Sequence, residues 1–257
     1  MVSGMLALLV ATTGVVGPDG PDKAPQRYRV DVKIEQVVDL SSAGMSEMRS
    51  SATSTSYVTL TVSDTTGGSL MHLVIDSVKV STVGQQFDMT FNQTMADSLK
   101  NQFFHAYIVN GRSDGPAKPS VENNPVISLV APAVSALYPG IGDKANQGDK
   151  WSDTTRSETS TAQGTQNTSQ IVDWVVTSRN GDVLTVTGTG NGTVNADMDG
   201  QQVSGTIATT AEVTTVVGGP AAASKVVSKQ SITVLAPQFP EPIPVNVTTE
   251  ATLTRLP

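Results

Sequence analysis

The feature that most constrains the fold of this chain is the strict alternation of apolar and polar residues in several long runs. In residues 28–35, Tyr, Val, Val and Ile alternate with Arg, Asp, Lys and Glu. Successive side chains of a strand point to opposite faces, so this pattern predicts a strand with one buried face. Further strands are predicted at residues 57–63, 70–80, 103–109, 171–177, 183–189, 203–217, 224–235 and 245–256.

Hydroxyl side chains take the place of charge in this sequence. The 257 residues include 26 serines and 32 threonines, and only 15% are charged, against a usual share of about 25%. Threonine and valine favour strands because a β-branched side chain fits a pleated, half-buried surface. With 38% hydrophobic residues, the chain has material for a sizeable core. The composition therefore predicts a mainly β protein: a long antiparallel sheet with a threonine-coated exterior.

The middle of the chain breaks this alternation. Residues 125–138 are apolar on nearly every side, with Leu129, Val130, Val134 and Leu137 at helical spacing. We predict one substantial helix at 124–138, kinked or begun near Pro132 and packed on the sheet. A shorter helical turn is expected near Met95.

The helix separates two halves of similar layout within a single β-rich domain, 27–257. Each half, 27–122 and 148–257, has an aromatic entry, a polar strand and a hairpin. Residues 41–56 are polar and Ser-rich and are not assigned to a strand. The glycines of Gly188-Thr-Gly-Asn-Gly192 do not open a helix as a phosphate-binding loop would, and they predict a turn.

The N-terminus, residues 1–26, is a signal-like segment followed by a flexible, proline-rich stretch. Its apolar run has the length and small-residue ending of an export signal, although no Lys or Arg precedes it. We expect export to the periplasm or cell surface. The alternative is a disordered or buried N-terminal strand.

Several classes of function are disfavoured by what the sequence lacks. The net charge of −7 and the absence of a basic stripe argue against nucleic acid. Without cysteine there is no thiolate nucleophile or thiolate metal site, and no apolar run approaches the roughly 18 residues of a transmembrane helix. His72 and His105 each lie in a predicted strand with no ligand spacing, and no GxSxG or HExxH motif occurs. We expect no enzyme and no cofactor.

One local pattern resembles a metal site. Asn195, Asp197, Asp199 and Gly200 match the first six positions of a calcium-binding loop. Position twelve is Thr206, where a bidentate Glu should close the shell, and strands flank the motif in place of helices. The same residues favour an Asp-Gly hairpin turn, which is the preferred interpretation.

The sequence also resembles a known group of proteins. The order of Ala96-Asp-Ser-Leu99, the Leu-Tyr-Pro within Ala133–Gly140, Gly148-Asp-Lys-Trp-Ser-Asp153 and the long Thr-rich strands is similar to that of uncharacterised exported bacterial β proteins. Those resemble the lipoprotein-carrier half-barrels, in which a curved antiparallel sheet wraps around a helix. The resemblance implies a hydrophobic cleft between sheet and helix and carries over no catalytic residue.

Two functions follow as expectations. The first is a non-catalytic envelope protein that binds a hydrophobic ligand or a lipoprotein acyl chain. The second is a structural or adhesive extracellular β module, with or without calcium at Asn195–Gly200. A hydrolase using scattered acids ranks last because no nucleophile, base and orienting group can be named together. An apolar pocket of roughly 300 Å³ or more would favour the carrier, and a filled core the structural module.

Overall fold

The computed structural model describes residues 24–84, 87, 91–109, 112–113, 117–121, 124–135, 137–138, 141, 146–161, 164–198, 200–217, 219–237, 239 and 241–257. Most of the signal-like segment thus lies outside the described residues. Twelve strands make up the sheet: β1 (Gln26–Val38), β2 (Met48–Thr65), β3 (Gly68–Val83), β4 (Phe103–Val109), β5 (Arg112–Ser113), β6 (Lys118–Pro119), β7 (Lys150–Thr161), β8 (Gly164–Asn180), β9 (Val183–Met198), β10 (Gln201–Val216), β11 (Ala221–Leu235) and β12 (Ile243–Arg255).

All of these strands belong to one antiparallel sheet that is curved and open. Eleven strands lie side by side in the order β5-β4-β3-β2-β1-β12-β11-β10-β9-β8-β7, and β6 pairs with β4. The chain starts in the middle at β1, meanders to one edge, crosses over and returns from the other edge to β12. The predicted mainly β, half-barrel class is confirmed. The predicted repeat of two halves, 27–122 and 148–257, stays a prediction.

The helical content is smaller than the sequence pattern indicated. The described ranges include two α-helical turns of five residues, α1 (Gln93–Asp97) and α2 (Ala131–Ser135), together with 3-10 turns at Ser41–Ala43 and Pro125–Leu129. The helix predicted at 124–138, kinked or begun near Pro132, is in the structure two short segments. Pro132 has no backbone N–H to continue the hydrogen bonds of the preceding turn, which accounts for the break. Asn124 caps the first segment, since its side chain accepts a hydrogen bond from the Val126 N–H at 2.9 Å.

The Ser-rich stretch forms a strand although its composition did not suggest one. β2 begins at Met48, and residues 48–60 pair with β1 in continuous register. Ala52, Ser54 and Ser56 are buried at alternate positions. Ser54 lies under the segment Pro125–Leu129, because its hydroxyl donates a hydrogen bond to the Leu129 carbonyl at 3.5 Å.

One face of the sheet, here called the inward face, carries the whole described core. A large cluster occupies the end near the β12 C-terminus and includes Tyr28 and Leu253. A smaller cluster occupies the opposite end and includes Val245 and Ile232. Leu253 and Val245 are an even number of residues apart on one strand, so both clusters lie on the same face. The outward face is covered mainly by Thr, Ser and charged residues.

Candidate functional site

The segment 125–138, here called the apolar cover, fills the inward face over the large cluster. Every cover residue named here is at most 9% exposed: Val126, Ile127, Leu129, Val130, Ala133, Val134, Leu137 and Tyr138. Its described backbone tie to the sheet is the Ala221 N–H, which donates to the Leu137 carbonyl at 2.7 Å. The cleft that the resemblance implied between sheet and helix is thus occupied by the chain's own side chains.

The inward face is more open between the two clusters, where β1 pairs with β12. Ile34, Gln36 and Val38 of β1 and Val247 of β12 are only partly buried, whereas Val30, on the same face of β1, is completely buried. We call these four residues the seam floor. The direct pairs Gln36–Val247 and Val38–Val245 place them in neighbouring rows across the strands. The seam floor is a mainly apolar, partly exposed surface, with Ile34 packed against the large cluster and Val38 and Val247 packed against the smaller one.

A buried polar belt borders the seam floor. Its members share the inward face at mid-strand and are at most 4% exposed: Gln170, Thr209, Ser228, Gln230 and Thr249. The Gln170 amide donates to the Thr209 hydroxyl at 2.7 Å, and Thr209 donates to Ser228 at 3.4 Å. Ser228 lies directly opposite Thr249, and Thr249 lies opposite Ile34. The belt therefore runs across the sheet and ends at the seam floor.

Gln230 differs from the rest of the belt because its amide oxygen is unpaired. The Oε1 atom is buried and accepts no hydrogen bond from any residue that the structure describes. Gln230 lies directly opposite Val247 of the seam floor. Leaving a buried acceptor unpaired costs about 1–3 kcal/mol.

Glycines on β9 make room for the belt. Gly188, Gly190 and Gly192 lie within the strand and pair with Trp174, Val172 and Gln170 of β8, so the turn predicted at Gly188–Gly192 is wrong. A Cβ added at Gly192 would lie 2.4 Å from the Ser169 carbonyl oxygen, and one at Gly190 would lie 3.1 Å from Gln170 Nε2. Glycine-rich composition suits a turn, but in β9 the absence of side chains permits close approach of the β8 side chains.

A separate open cavity lies where β9–β10 and β11–β12 turn. Its volume is about 290 Å³, and it is lined by Gly200, Gln202, Leu235, Ala236, Pro237, Phe239, Glu241 and Pro242. Gln202 and Leu235 pair with each other and both are exposed, on the outward face. The cavity is therefore a surface depression, distinct from the seam floor.

The candidate calcium residues lie beside the β9–β10 turn. Asn195 and Asp197 are exposed at alternate positions of β9, and Asp199 lies outside the described residues. Gly200 has φ of +74°, and Gln201 pairs with Met198, so two residues connect the strands. Within the described part of the chain, no three His, Cys, Asp or Glu side chains are grouped to hold a metal ion. The calcium site and the rival hairpin interpretation stay predictions.

The two histidines are neighbours in the sheet, a pairing that no sequence pattern indicates. His72 of β3 lies directly opposite His105 of β4, and His105 lies opposite Lys118. The Phe103 ring lies 4.6 Å from His72 and 6.1 Å from His105, centre to centre. Strand register produces this pairing, which residue spacing cannot reveal. A neighbouring lysine ammonium does not favour binding of a cation here.

Burial changes the acidity of one cover side chain. Desolvation raises the pKa of the Tyr138 phenol well above its usual value, and the nearby Tyr28 phenol raises it further. The Tyr138 hydroxyl has no hydrogen-bond partner among the described residues. Tyr138 is therefore a neutral packing residue at neutral pH.

Comparison with known proteins does not assign the chain to a family. No protein-family model matches the sequence, and no curated protein matches it. A lipovitellin structure is similar, with 12% identity and a TM-score of 0.49 over 93% of this chain and 26% of that chain. This chain thus spans about a quarter of that lipovitellin chain.

Bacterial outer-membrane proteins show lower similarity. A mutant porin of Rhodopseudomonas blastica has 10% identity and a TM-score of 0.25, covering 91% of this chain and 100% of the porin. An outer-membrane channel from Pseudomonas putida has 11% identity and a TM-score of 0.23, covering 93% of this chain and 100% of that chain. None of the helices in the described ranges has the length and hydropathy to cross a bilayer.

Proposed function

We propose that this protein is an exported, non-catalytic binding protein that holds an apolar chain on the seam floor. The observation that carries the proposal is the contrast in burial along one inward face. Ile34, Val38 and Val247 are apolar and partly exposed, between two clusters whose residues are almost fully buried. When a ligand covers an open apolar surface at the centre of a concave sheet, burial of that surface stabilises the complex by about 25 cal/mol per Å² of apolar area.

The ligand class that fits is a single hydrocarbon chain. The seam floor is a strip about two strands wide, roughly 10 Å from the spacing of neighbouring strands. It offers no charged side chain, since its members are Ile34, Gln36, Val38 and Val247. A lipoprotein acyl chain or a free lipid would present the matching apolar surface. Export to the periplasm or cell surface is part of this proposal, supported by the apolar stretch within residues 1–26.

A second function is favoured by a different observation. The large cluster beneath the apolar cover is filled, as expected for a structural or adhesive module. In that case the partly exposed seam floor would be ordinary surface and would bind nothing.

Displacement of a fluorescent apolar probe by oleoyl lipids separates the two functions. We expect wild-type protein to bind the probe and Val247→Asp to lose most of this binding, because a buried charge beside the chain is unfavourable. Thr254→Asp is the matched control, because Thr254 lies on the same strand but its side chain is exposed on the outward face. This variant should bind the probe as wild type does. Equal binding by both variants would overturn the proposal.

A further inference from the structure

We propose that the chain held on the seam floor carries an uncharged polar group that donates a hydrogen bond, a hydroxyl or an amide N–H, to Gln230 Oε1. This inference rests on the proposed function. The decisive juxtaposition is an unpaired, buried amide oxygen in direct register with Val247 of the open floor.

The ligand group must be a donor because of what Gln230 presents. Gln230 is 4% exposed, and its Oε1 atom is an acceptor with no donor among the described residues. Three of the other belt residues, Gln170, Thr209 and Ser228, are linked to one another by hydrogen bonds. A ligand donor reaching Gln230 would therefore satisfy an unpaired group without breaking an existing hydrogen bond.

The ligand group must also be uncharged. Two rows of inward residues cross the sheet from β8 to β1 at the level of Gln230. The first row is Val172, Gly190, Thr209, Ser228, Thr249 and Ile34. The second row is Gln170, Gly192, Ile207, Gln230, Val247 and Gln36. None of these twelve residues is ionisable. The next residue along the first row is Asp153 of β7, about 19 Å from β11 at four strand spacings.

A charged headgroup would thus enter a site with no compensating charge. Burying a carboxylate or phosphate without a partner is far more costly than burying a hydroxyl that gains a hydrogen bond. The site therefore selects neutral single-chain amphiphiles, such as an acylglycerol with a free hydroxyl or an acyl amide, over fatty-acid anions and phospholipids.

Three oleoyl probes that differ only in the head test this selectivity. Monooleoylglycerol donates hydrogen bonds, methyl oleate is neutral but cannot donate, and oleate at pH 8 is charged. Wild-type protein should bind monooleoylglycerol about two- to ten-fold more tightly than methyl oleate, the range that one net hydrogen bond supplies. Oleate should bind more weakly than both.

Gln230→Met removes the acceptor at nearly constant volume, and Gln202→Leu, at an exposed outward glutamine, is the control. The Met variant should lose the preference for monooleoylglycerol while keeping methyl oleate binding, and the control should keep the preference. The ligand-free Met variant should melt no lower than wild type, because an unpaired buried amide oxygen is removed.

The outcomes separate this inference from the function on which it rests. Binding of all three probes with equal affinity, or a preference that survives in Gln230→Met, would overturn the inference and leave the proposed function standing. A lower melting temperature for ligand-free Gln230→Met would contradict the unpaired state of the amide and overturn the inference. Failure of every probe to bind wild-type protein would overturn the proposed function itself.

Discussion

The covered end of the inward face and the seam floor obey the same sequence rule and end in different states. Both are built from strands that alternate apolar and polar residues, and both face the same side of one sheet. Over the large cluster, the chain supplies its own apolar cover, and Leu129, Val130 and Leu137 are fully buried. At the seam floor, Ile34 and Val247 pack against the edges of the two clusters and stay partly exposed. The alternation of residues therefore determines which face of the sheet is apolar, and the position of the apolar cover determines which part of that face is closed.

The largest effect should come from placing a charge beneath the cover. Leu129→Asp or Val134→Asp should destabilise the fold by several kcal/mol, because both side chains are almost fully buried and burying an unpaired carboxylate is strongly unfavourable. Ile34→Asp at the seam floor should cost much less, since that side chain can reach water. Urea denaturation of the variants would measure the difference. Equal losses at Leu129 and Ile34 would remove the distinction between a closed and an open region.

A smaller loss of stability is expected when a side chain is added to one of the β9 glycines that border the belt. Gly192→Ala brings a methyl group to 2.4 Å from the Ser169 carbonyl oxygen, so β8 and β9 must separate locally, at a cost of about 1–3 kcal/mol. Thr193→Ala, at the exposed neighbouring position, is the control and should change the free energy of unfolding by less than about 0.5 kcal/mol. Indistinguishable melting temperatures would mean that the strands adjust without strain.

The β9 glycines also show which features of the fold could be predicted from the sequence and which could not. Period-two alternation located β1, β3 and β8 to β12 because each has one buried face. The composition of Gly188–Gly192 suggested a turn, since glycine's role in close packing depends on the side chains of a neighbouring strand. Pro132 predicts the position of the break, but the apolar pattern overestimates the length of helix on either side, because apolar residues on all sides suit any buried segment.

The belt was missed for a related reason, although a signal was present. In β11, Ser228 and Gln230 occupy the inward parity set by Val226 and Ile232. Polar residues at inward positions of an alternating strand mark a site or a buried network, and this interruption is readable from the sequence. Cross-strand partners are not readable without register, so neither the Gln170–Thr209 contact nor the His72–His105 pair could be predicted.

Alkaline pH should destabilise the part of the protein beneath the apolar cover and leave the seam floor unaffected. The raised pKa of Tyr138 keeps its phenol neutral in the folded state, whereas the unfolded phenol ionises near pH 10. The contribution of Tyr138 to the free energy of unfolding is therefore complete below about pH 10. It is lost as the pH rises further, by up to about 1.4 kcal/mol per pH unit. Tyr138→Phe should flatten this decline, and Tyr107→Phe, at a 53% exposed side chain, should not. Parallel declines in all three proteins would contradict the packing role of Tyr138.

The smallest expected effect is that of calcium at the β9–β10 turn, which is remote from both regions. We predict no specific rise in melting temperature with millimolar calcium, because the loop lacks the closing Glu and the Asp-Gly pair suits a hairpin. A calcium-dependent rise that vanishes in Asp199→Ala and survives in Asp173→Ala would establish a site at Asn195, Asp197 and Asp199, and would favour the structural module.

Photo-crosslinking can show whether the seam floor holds an apolar chain. Monooleoylglycerol with a diazirine in its acyl chain would be bound, irradiated and mapped by peptide mass spectrometry. We predict labels on β1 and β12 at residues 34–38 and 245–249, reduced in Val247→Asp and unchanged in Thr254→Asp. Labels confined to the surface depression around Phe239 or to the outward face, or no saturable labelling, would contradict the claim.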